Sequence, residues 1–183
     1  CGEETAACWE RREKRVVLQG TCDVLAAPDV AAWQVASLVR GDLVAPKGRE
    51  QEGWRQVLLP GGQEGYLRGS FLGQYHTSPV YEDEEGMRSA LVDAALAYRG
   101  THYRWGGKSP MGIDCSGLCS MAYLLCGVII WRDAAIREGY PIRPIPRENM
   151  RPGDLLFFPG HVAMYLGDWR YIHATARAGD DGV

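Results

Sequence analysis

One cysteine stands where a folded backbone can activate it. Asp114 is a favoured helix N-cap residue, and Cys115 begins an apolar run that predicts a helix ending at Gly127. The N-terminus of a helix carries a partial positive charge, which favours the thiolate, the nucleophilic form of a thiol. The sequence therefore indicates Cys115 as a candidate nucleophile, with backbone N–H groups of the same helix terminus as donors to an oxyanion.

Two histidines near the end of the chain supply a candidate base. His161 and His173 lie in strand-like runs at 161–166 and 170–175, joined by Gly167-Asp168-Trp169. Because side chains alternate along a strand, the two histidines share a face only if the connection has an odd length or a bulge. We expect such an irregularity, with His161 as general base and later general acid, and His173 as the residue that orients it.

Each of these residues taken singly also has a structural explanation, since lone cysteines and histidines usually pack in the core. Cys119 and Cys126, on the same predicted helix as Cys115, fit that explanation as small buried residues. The cysteines and histidines lack the spacing of a metal site, so we expect no metal and no cofactor. A catalytic thiol would require reducing conditions.

Composition and charge exclude several classes of protein. The chain has 183 residues, of which 46% are apolar, so it can bury a core and is not disordered. Its net charge of -3 and the lack of a basic block argue against a nucleic-acid partner. The longest apolar stretch, 121–131, is too short for a transmembrane segment. The chain starts at Cys1 rather than Met, so we expect an upstream segment to be missing from it.

The chain is predicted to contain two domains. From about residue 16 to residue 75 the sequence reads as short strands separated by Gly-rich turns, which favours a small β-barrel. We assign residues 1–76 to this domain with an N-terminal extension, and 77–86, with its acidic run, to a linker. The remaining 87–183 is predicted to be α+β, beginning with a helix at 87–99.

The first domain resembles a bacterial SH3-like module. The motifs that carry the resemblance are Arg40-Gly41-Asp42-Leu43-Val44, Gly53-Trp54-Arg55-Gln56-Val57, and residues 61–67 followed by Ser70-Phe71-Leu72. The resemblance implies a module that binds cell-wall or peptide ligands, or a spacer.

The second domain resembles the NlpC/P60 family of cysteine peptidases, which cleave peptidoglycan stem peptides. The matching motifs are Tyr103-Arg104-Trp105-Gly106-Gly107, Asp114-Cys115-Ser116-Gly117-Leu118, Arg132-Asp133-Ala134, Arg151-Pro152-Gly153-Asp154-Leu155, His161-Val162-Ala163-Met164-Tyr165-Leu166-Gly167 and Tyr171-Ile172-His173-Ala174. The resemblance implies a papain-like α+β core with Cys115, His161 and His173 as the catalytic residues. Together with an SH3-like module, it implies hydrolysis of the γ-D-Glu–diamino acid bond in peptides with a free N-terminal L-Ala.

The same resemblance implies a set of substrate-binding residues. Asp114 and Tyr103 would hold the substrate's N-terminal ammonium, and Ser116 and Trp105 would line the same pocket. Tyr66 of the SH3-like module would help to wall off the cleft.

Ala134 is among the departures from the family pattern, and two other functions stay open. Ala134 occupies a position where a hydroxyl is often found, so one substrate contact is expected to be missing. The alternatives are a wall-binding protein with a catalytically silent peptidase-like domain, and a thiol acyltransferase on the same fold. The sequence favours an enzyme of the bacterial cell envelope or a secreted one, with a cytoplasmic location as the alternative. The choice between lysine and diaminopimelate, and the oligomeric state, stay open.

Overall fold

The computed structural model describes residues 3–183, which divide into two compact units, one ending at Tyr75 and the other running from His76 to Val183. Each unit has its own hydrophobic cluster. No helix within the described residues is both long and apolar enough to cross a bilayer.

The first unit is mostly antiparallel sheet. Its elements are α1 (Glu3–Glu10), β1 (Arg15–Val17), β2 (Thr21–Leu25), β3 (Gln34–Val39), β4 (Leu43–Gln51), β5 (Trp54–Leu58), β6 (Glu64–Arg68), a 3-10 turn (Gly69–Phe71) and β7 (Leu72–Gln74). The strands form one sheet in the order β3-β2-β6-β5-β4-β1-β7. Its core is built from the fully or almost fully buried side chains of Val24, Val44, Val57, Leu59 and Leu67.

The strand-rich character predicted for this unit is confirmed, whereas α1 was not predicted. Within residues 3–183 the sheet order is open, since no ladder joins the end strands β3 and β7. The unit is therefore not a closed barrel by its hydrogen bonding, and its SH3-like interpretation stays a prediction.

The second unit is α+β, as predicted. Its elements are α2 (Glu84–Leu96), β8 (Lys108–Ser109), β9 (Gly112–Ile113), α3 (Cys115–Leu125), a 3-10 turn (Arg147–Asn149), β10 (Leu155–Phe158), β11 (His161–Gly167), β12 (Arg170–Ile172), β13 (Thr175–Arg177) and β14 (Asp180–Gly182). Strands β10, β11 and β12 form a three-stranded antiparallel sheet, and β8–β9 and β13–β14 are separate hairpins.

Helix α2 begins three residues earlier than predicted because of its N-cap. The Asp83 carboxylate accepts a hydrogen bond of 2.7 Å from the backbone N–H of Gly86. Glu84 and Glu85 then occupy the first turn, where negative charge interacts favourably with the helix dipole. The acidic run thus forms the start of a helix, as well as the end of the predicted linker.

Helix α3 is buried along most of its length and ends in a glycine turn. Gly127 has a φ of +79° and donates to the carbonyl of Leu124, while Val128 donates to the carbonyl of Tyr123, the pattern of a Schellman motif. The regular helix therefore ends at Leu125, and the turn that follows it reaches Gly127, the residue at which the sequence predicted the end of the helix. Burial raises the pKa of the Cys126 thiol to about 11, and burial raises that of Cys119 further still. Both thiols are protonated core residues.

The irregularity predicted between the two histidines is confirmed. Asp168 and Trp169 form a two-residue turn, and Tyr165 pairs with Tyr171 across the hairpin. The register shifts between Tyr165 and Gly167, which marks a β-bulge there. A two-residue turn alone would place His161 and His173 on opposite faces of the sheet, and the bulge returns them to the same face. Strand β12 ends at Ile172, earlier than predicted, because residues from Thr175 onward pair in a different hairpin.

Candidate active site

Cys115 is the first residue of α3, and its helix is capped by the residue before it. Cys115 is only 7% exposed. The Asp114 carboxylate accepts a hydrogen bond of 2.6 Å from the N–H of Gly117, and its backbone carbonyl accepts one from Leu118. The first N–H groups of a helix have no intrahelical acceptor, so those of Cys115 and Ser116 point from the helix terminus as donors. Their role as donors to an oxyanion formed at Cys115 stays a prediction.

A glycine-rich loop lies directly against this helix terminus. The N–H of Gly106 donates to Asp114 Oδ2 at 2.8 Å, and the N–H of Asp114 donates to the carbonyl of Gly107. A Cβ atom at position 117 would collide with that carbonyl oxygen of Gly107. Glycine at 117 is therefore required by the close approach of the loop to the helix.

Arg132 joins the loop, the cap and the helix. Its Nη1 donates to Asp114 Oδ1 and its Nη2 to Asp114 Oδ2, both at 3.0 Å, which makes a bidentate ion pair. The same guanidinium donates to Ser116 Oγ at 2.8 Å and to the carbonyl of Gly107 at 3.1 Å. Sequence reasoning gave Arg132 no role, although it placed the residue in a family motif. An arginine in a motif with aspartates in reach is the signal that could have found this pair.

The Asp114 carboxylate is charged and already well supplied with donors. It accepts hydrogen bonds from Gly106, Gly117, Ser116 and twice from Arg132, whereas a carboxylate offers about four lone-pair sites. Burial would raise the pKa of Asp114, but Arg132 and the backbone N–H groups outweigh it and hold the pKa below its usual range. A substrate ammonium would have to displace one of these donors. The predicted ammonium contact of Asp114 stays a prediction.

A cavity of about 470 Å³ opens over the sulfur and brings most predicted site residues together. Its lining includes Tyr103, Trp105, Asp114, Cys115, Ser116, Arg132, Asp133, Ala134 and Gly160. Ser116 is buried, whereas Trp105 is 85% exposed. Tyr66 is half-buried on β6 of the first unit, where it pairs with Gln56 across the sheet, so its predicted role in the cleft stays a prediction.

The cavity carries an excess of negative charge. Two carboxylates, Asp114 and Asp133, line it with one guanidinium, Arg132. Asp133 is exposed and has no ion pair with any residue in the described part of the chain. Burial and the negative charges of Cys115 and Asp114 raise the pKa of Tyr103, which keeps its phenol protonated. The lining therefore suits a ligand with a positively charged group.

A hydrogen bond joins the two candidate histidines directly. His161 Nε2 lies 2.8 Å from His173 Nδ1. Burial and the neighbouring charge of His173 lower the pKa of His161, which favours its neutral form. Either ring can donate in this bond, according to its tautomer. The catalytic hypothesis puts the proton on Nε2 of His161, which leaves the lone pair of its Nδ1 atom for another partner. Gly160, the neighbour of His161, lines the cavity that contains Cys115.

Aromatic rings surround this histidine pair. The Phe158 ring lies 6.2 Å from that of His161, and the Tyr171 ring lies 5.3 Å from that of His173 in an edge arrangement. Phe158 and Tyr171 in turn lie 6.5 Å apart. Such spacings are those of packed aromatic rings, so the rings limit the rotation of both imidazoles.

Known proteins are similar to this chain in sequence. Residues 100–180 match the model of the NlpC/P60 family. Dipeptidyl-peptidase 6 of Lysinibacillus sphaericus is 48% identical over 178 residues, which are 96% of this chain and 65% of that protein. Gamma-D-glutamyl-L-lysine dipeptidyl-peptidase of Bacillus cereus is 32% identical over 130 residues, covering 65% of this chain and 37% of that protein. The chain thus spans about two thirds or less of these relatives' length.

A solved structure shares the fold. A Bacillus cereus NlpC/P60 family protein superposes with a TM-score of 0.81 at 24% identity, over 99% of this chain and 60% of the other. The papain-like α+β fold expected for the second unit is thereby confirmed. The match to the NlpC/P60 family therefore lies within the second unit of this chain, over residues 100–180.

Proposed function

We propose that the chain is a cysteine peptidase that hydrolyses the γ-D-Glu–diamino acid bond of peptidoglycan stem peptides bearing a free N-terminal L-Ala. The observation that carries the proposal is a single cavity lined both by Cys115, at a capped helix N-terminus, and by Gly160, next to the bonded histidine pair. Relatives named dipeptidyl-peptidase and gamma-D-glutamyl-L-lysine dipeptidyl-peptidase support the choice of bond.

Acylation would use the nucleophile and the base in turn. The Cys115 thiol gives its proton to Nδ1 of His161, and the sulfur attacks the γ-carbonyl of D-Glu. Negative charge on the carbonyl oxygen is met by the N–H groups of Cys115 and Ser116. The imidazolium of His161 is stabilised by its Nε2–H bond to His173, and then protonates the leaving amine as the C–N bond breaks.

Deacylation would reverse the roles with water as the nucleophile. His161, neutral again, removes a proton from water, which attacks the thioester and releases the acid product and the Cys115 thiol. The lowered pKa of His161 suits this step, because the ring must be unprotonated each time it acts as a base.

Recognition of the free amine rests on the charge of the cavity. The ammonium of L-Ala would lie against the excess negative charge of Asp114 and Asp133, with the hydroxyls of Ser116 and Tyr103 as further acceptors. Trp105 would cover the peptide at the rim. Ala134 presents only a methyl group to the same cavity, so it offers the substrate no hydrogen bond.

The role of the first unit follows from this substrate. We infer that it is an SH3-like module that assists in holding wall-derived peptides, with Tyr66 as one of its peptide contacts; its sheet-rich architecture supports this. A peptidoglycan substrate favours action at the cell envelope or after secretion. Retention of the first unit on purified peptidoglycan, and its loss in a Tyr66→Ala variant that still folds, would test the contact.

The substrate is tested with a pair of peptides. L-Ala-γ-D-Glu-L-Lys and its N-acetylated form are incubated with the protein, and products are identified by mass. We expect L-Ala-D-Glu and lysine from the free peptide, and at least about 100-fold slower cleavage of the blocked one, because the acetyl group removes the charge that the cavity selects. Equal rates would refute amine recognition, and no cleavage of either would refute the substrate.

The thiol is tested separately, which distinguishes the alternative functions. Iodoacetamide near neutral pH should alkylate Cys115, and mass mapping of the segment 109–132 should find no label in a Cys115→Ser variant, because the other two thiols of that segment, Cys119 and Cys126, are buried and protonated. An unreactive Cys115 would favour a silent, wall-binding domain. Cleavage in ¹⁸O-water should place one label in the new carboxylate; transfer to an added amine without label would favour an acyltransferase.

A further inference from the structure

A second cavity in the catalytic unit has no role in the mechanism above. Its volume is about 540 Å³, and its lining is mostly apolar and aromatic, with Phe158, Tyr165, Trp169 and Tyr171 on the sheet side. Phe158, Trp169 and Tyr171 are each about half exposed or more, at 47%, 74% and 50%. So much exposed aromatic surface in one concave place is typical of a binding site.

This groove continues directly from the histidine pair. The tip between β10 and β11 separates the two cavities, because Gly160 lines the one with Cys115 and Phe158 lines the groove. Phe158 lies against His161, and Tyr171, also a groove residue, lies against His173. The groove therefore adjoins the histidine pair through Phe158 and Tyr171, whereas the cavity proposed to bind the N-terminal half of the substrate adjoins it through Gly160.

The far end of the groove is formed by the turn between β11 and β12. Asp168 and Trp169 have φ values of +50° and +59°, the positive values that both central residues of a two-residue hairpin turn adopt. The turn places the indole at the groove, under the guanidinium of Arg147, which lies 5.2 Å from the ring centre. An aromatic ring and a cation therefore lie together at this wall of the groove.

Charge and length define the occupant. Within residues 3–183 Arg147 has no carboxylate partner, and the other charged lining residue, Asp154, is already paired with Arg88. A single unneutralised guanidinium selects a carboxylate. Strand β10 lines the groove along its whole length, Leu155–Phe158, three residue steps or about 10 Å at the rise of a strand, which is room for about three residues of an extended peptide.

We propose that this groove binds the leaving peptide beyond its first residue, with the aromatic rings against its aliphatic parts and Arg147 on its terminal carboxylate. The proposal rests on the proposed function in one respect, because His161 protonates the leaving amine and so fixes where that peptide begins. It makes the enzyme selective for stem peptides that continue past the diamino acid.

The test compares three substrates that differ only after the scissile bond. They are L-Ala-γ-D-Glu-L-Lys, the same peptide with two added alanines, and the amide of the longer peptide. We expect kcat/KM to be at least about tenfold higher for the longer acid than for the tripeptide or the amide, because only the longer acid brings a carboxylate to Arg147. Arg147→Gln should bring the longer acid down to the tripeptide's rate and leave the tripeptide unchanged.

A matched control and a binding measurement keep the outcome decisive. Arg143→Gln, an exposed arginine of the same connection that lines a different cavity, should retain the preference. The indole N–H signal of Trp169, identified by its loss in Trp169→Phe, should shift on titration with L-Lys-Ala-Ala and not in the Arg147→Gln protein. Equal rates for all three substrates, or no shift of that signal, would overturn the groove proposal. If no peptide is cleaved but the signal shifts, the proposed function fails and the groove stands.

Discussion

The two ends of the candidate site are held by different forces. At the start of α3, one carboxylate gathers five hydrogen bonds from a loop, a helix and Arg132. At the β10–β12 sheet, His161 and His173 share one hydrogen bond, and aromatic rings supply the remaining packing. The nucleophile end is thus a polar network, and the base end is a packed aromatic cluster.

This difference separates stability from catalysis. A buried network with a charge at its centre loses much of its stability when one member is removed, because the others are left buried without partners. Packed rings at a half-exposed surface lose only part of their contact area when one ring is changed. We therefore expect substitutions at the nucleophile end to destabilise the fold. Substitutions at the base end should lower the rate of catalysis while the protein stays folded.

The largest expected effect is at Asp114. Asp114→Ala should lower the free energy of unfolding by about 3 kcal/mol or more, because it strands the Arg132 guanidinium and removes the helix cap. Asp133→Ala, its exposed neighbour in the same cavity without an ion pair among the described residues, should change it by less than about 0.5 kcal/mol. Urea unfolding followed by near-ultraviolet circular dichroism measures both. Equal losses would show that the network does not hold the helix start.

The next prediction concerns substitution of His173, which should change the catalytic rate and leave the stability of the protein almost unchanged. His173→Ala should lower kcat by about 1000-fold, because the ring of His161 loses the partner that fixes its tautomer, while the melting temperature changes little. His173→Asn, which keeps a hydrogen-bonding group near the same place, should recover part of the loss. Steady-state kinetics and calorimetry on the two variants decide the matter. A stability loss as large as that of Asp114→Ala would show that both ends of the site contribute similarly to the stability of the fold.

Sequence reasoning succeeded for features that depend only on residues close together in the chain. Asp114 as a cap, the glycine turn at Gly127 and the bulge between the histidines each follow from a few neighbouring residues, and each is present. The start of α2 was misplaced by three residues because acidic residues at 84 and 85 suit both a solvated linker and a helix start.

Long-range partners were harder to foresee. The Arg132–Asp114 pair joins residues 18 apart, and periodicity says nothing about which guanidinium reaches which carboxylate. The aromatic groove escaped notice because Trp169 reads as a turn residue and Arg147 as a surface charge. The open order of the first sheet was likewise hidden, since short strands alone do not say whether end strands pair.

The smallest effect tests the aromatic cluster itself. Burial is the larger of the two causes that lower the pKa of His161, and the Phe158 ring is part of that burial. Phe158→Ala should therefore raise this pKa and move the acid limb of kcat/KM to higher pH, because solvent then stabilises the imidazolium.

The pH profile of a second aromatic variant shows whether this shift is specific. Tyr140→Ala removes a ring that packs on Trp131 and does not contact either histidine ring, so its acid limb should stay in place. The sign matters more than the size, because a lowered pKa means that the wild-type base is active at a more acidic pH than a solvent-exposed histidine would be. A downward shift in Phe158→Ala would mean that the ring stabilises the imidazolium through its π face, and the base end would then be electrostatic like the nucleophile end.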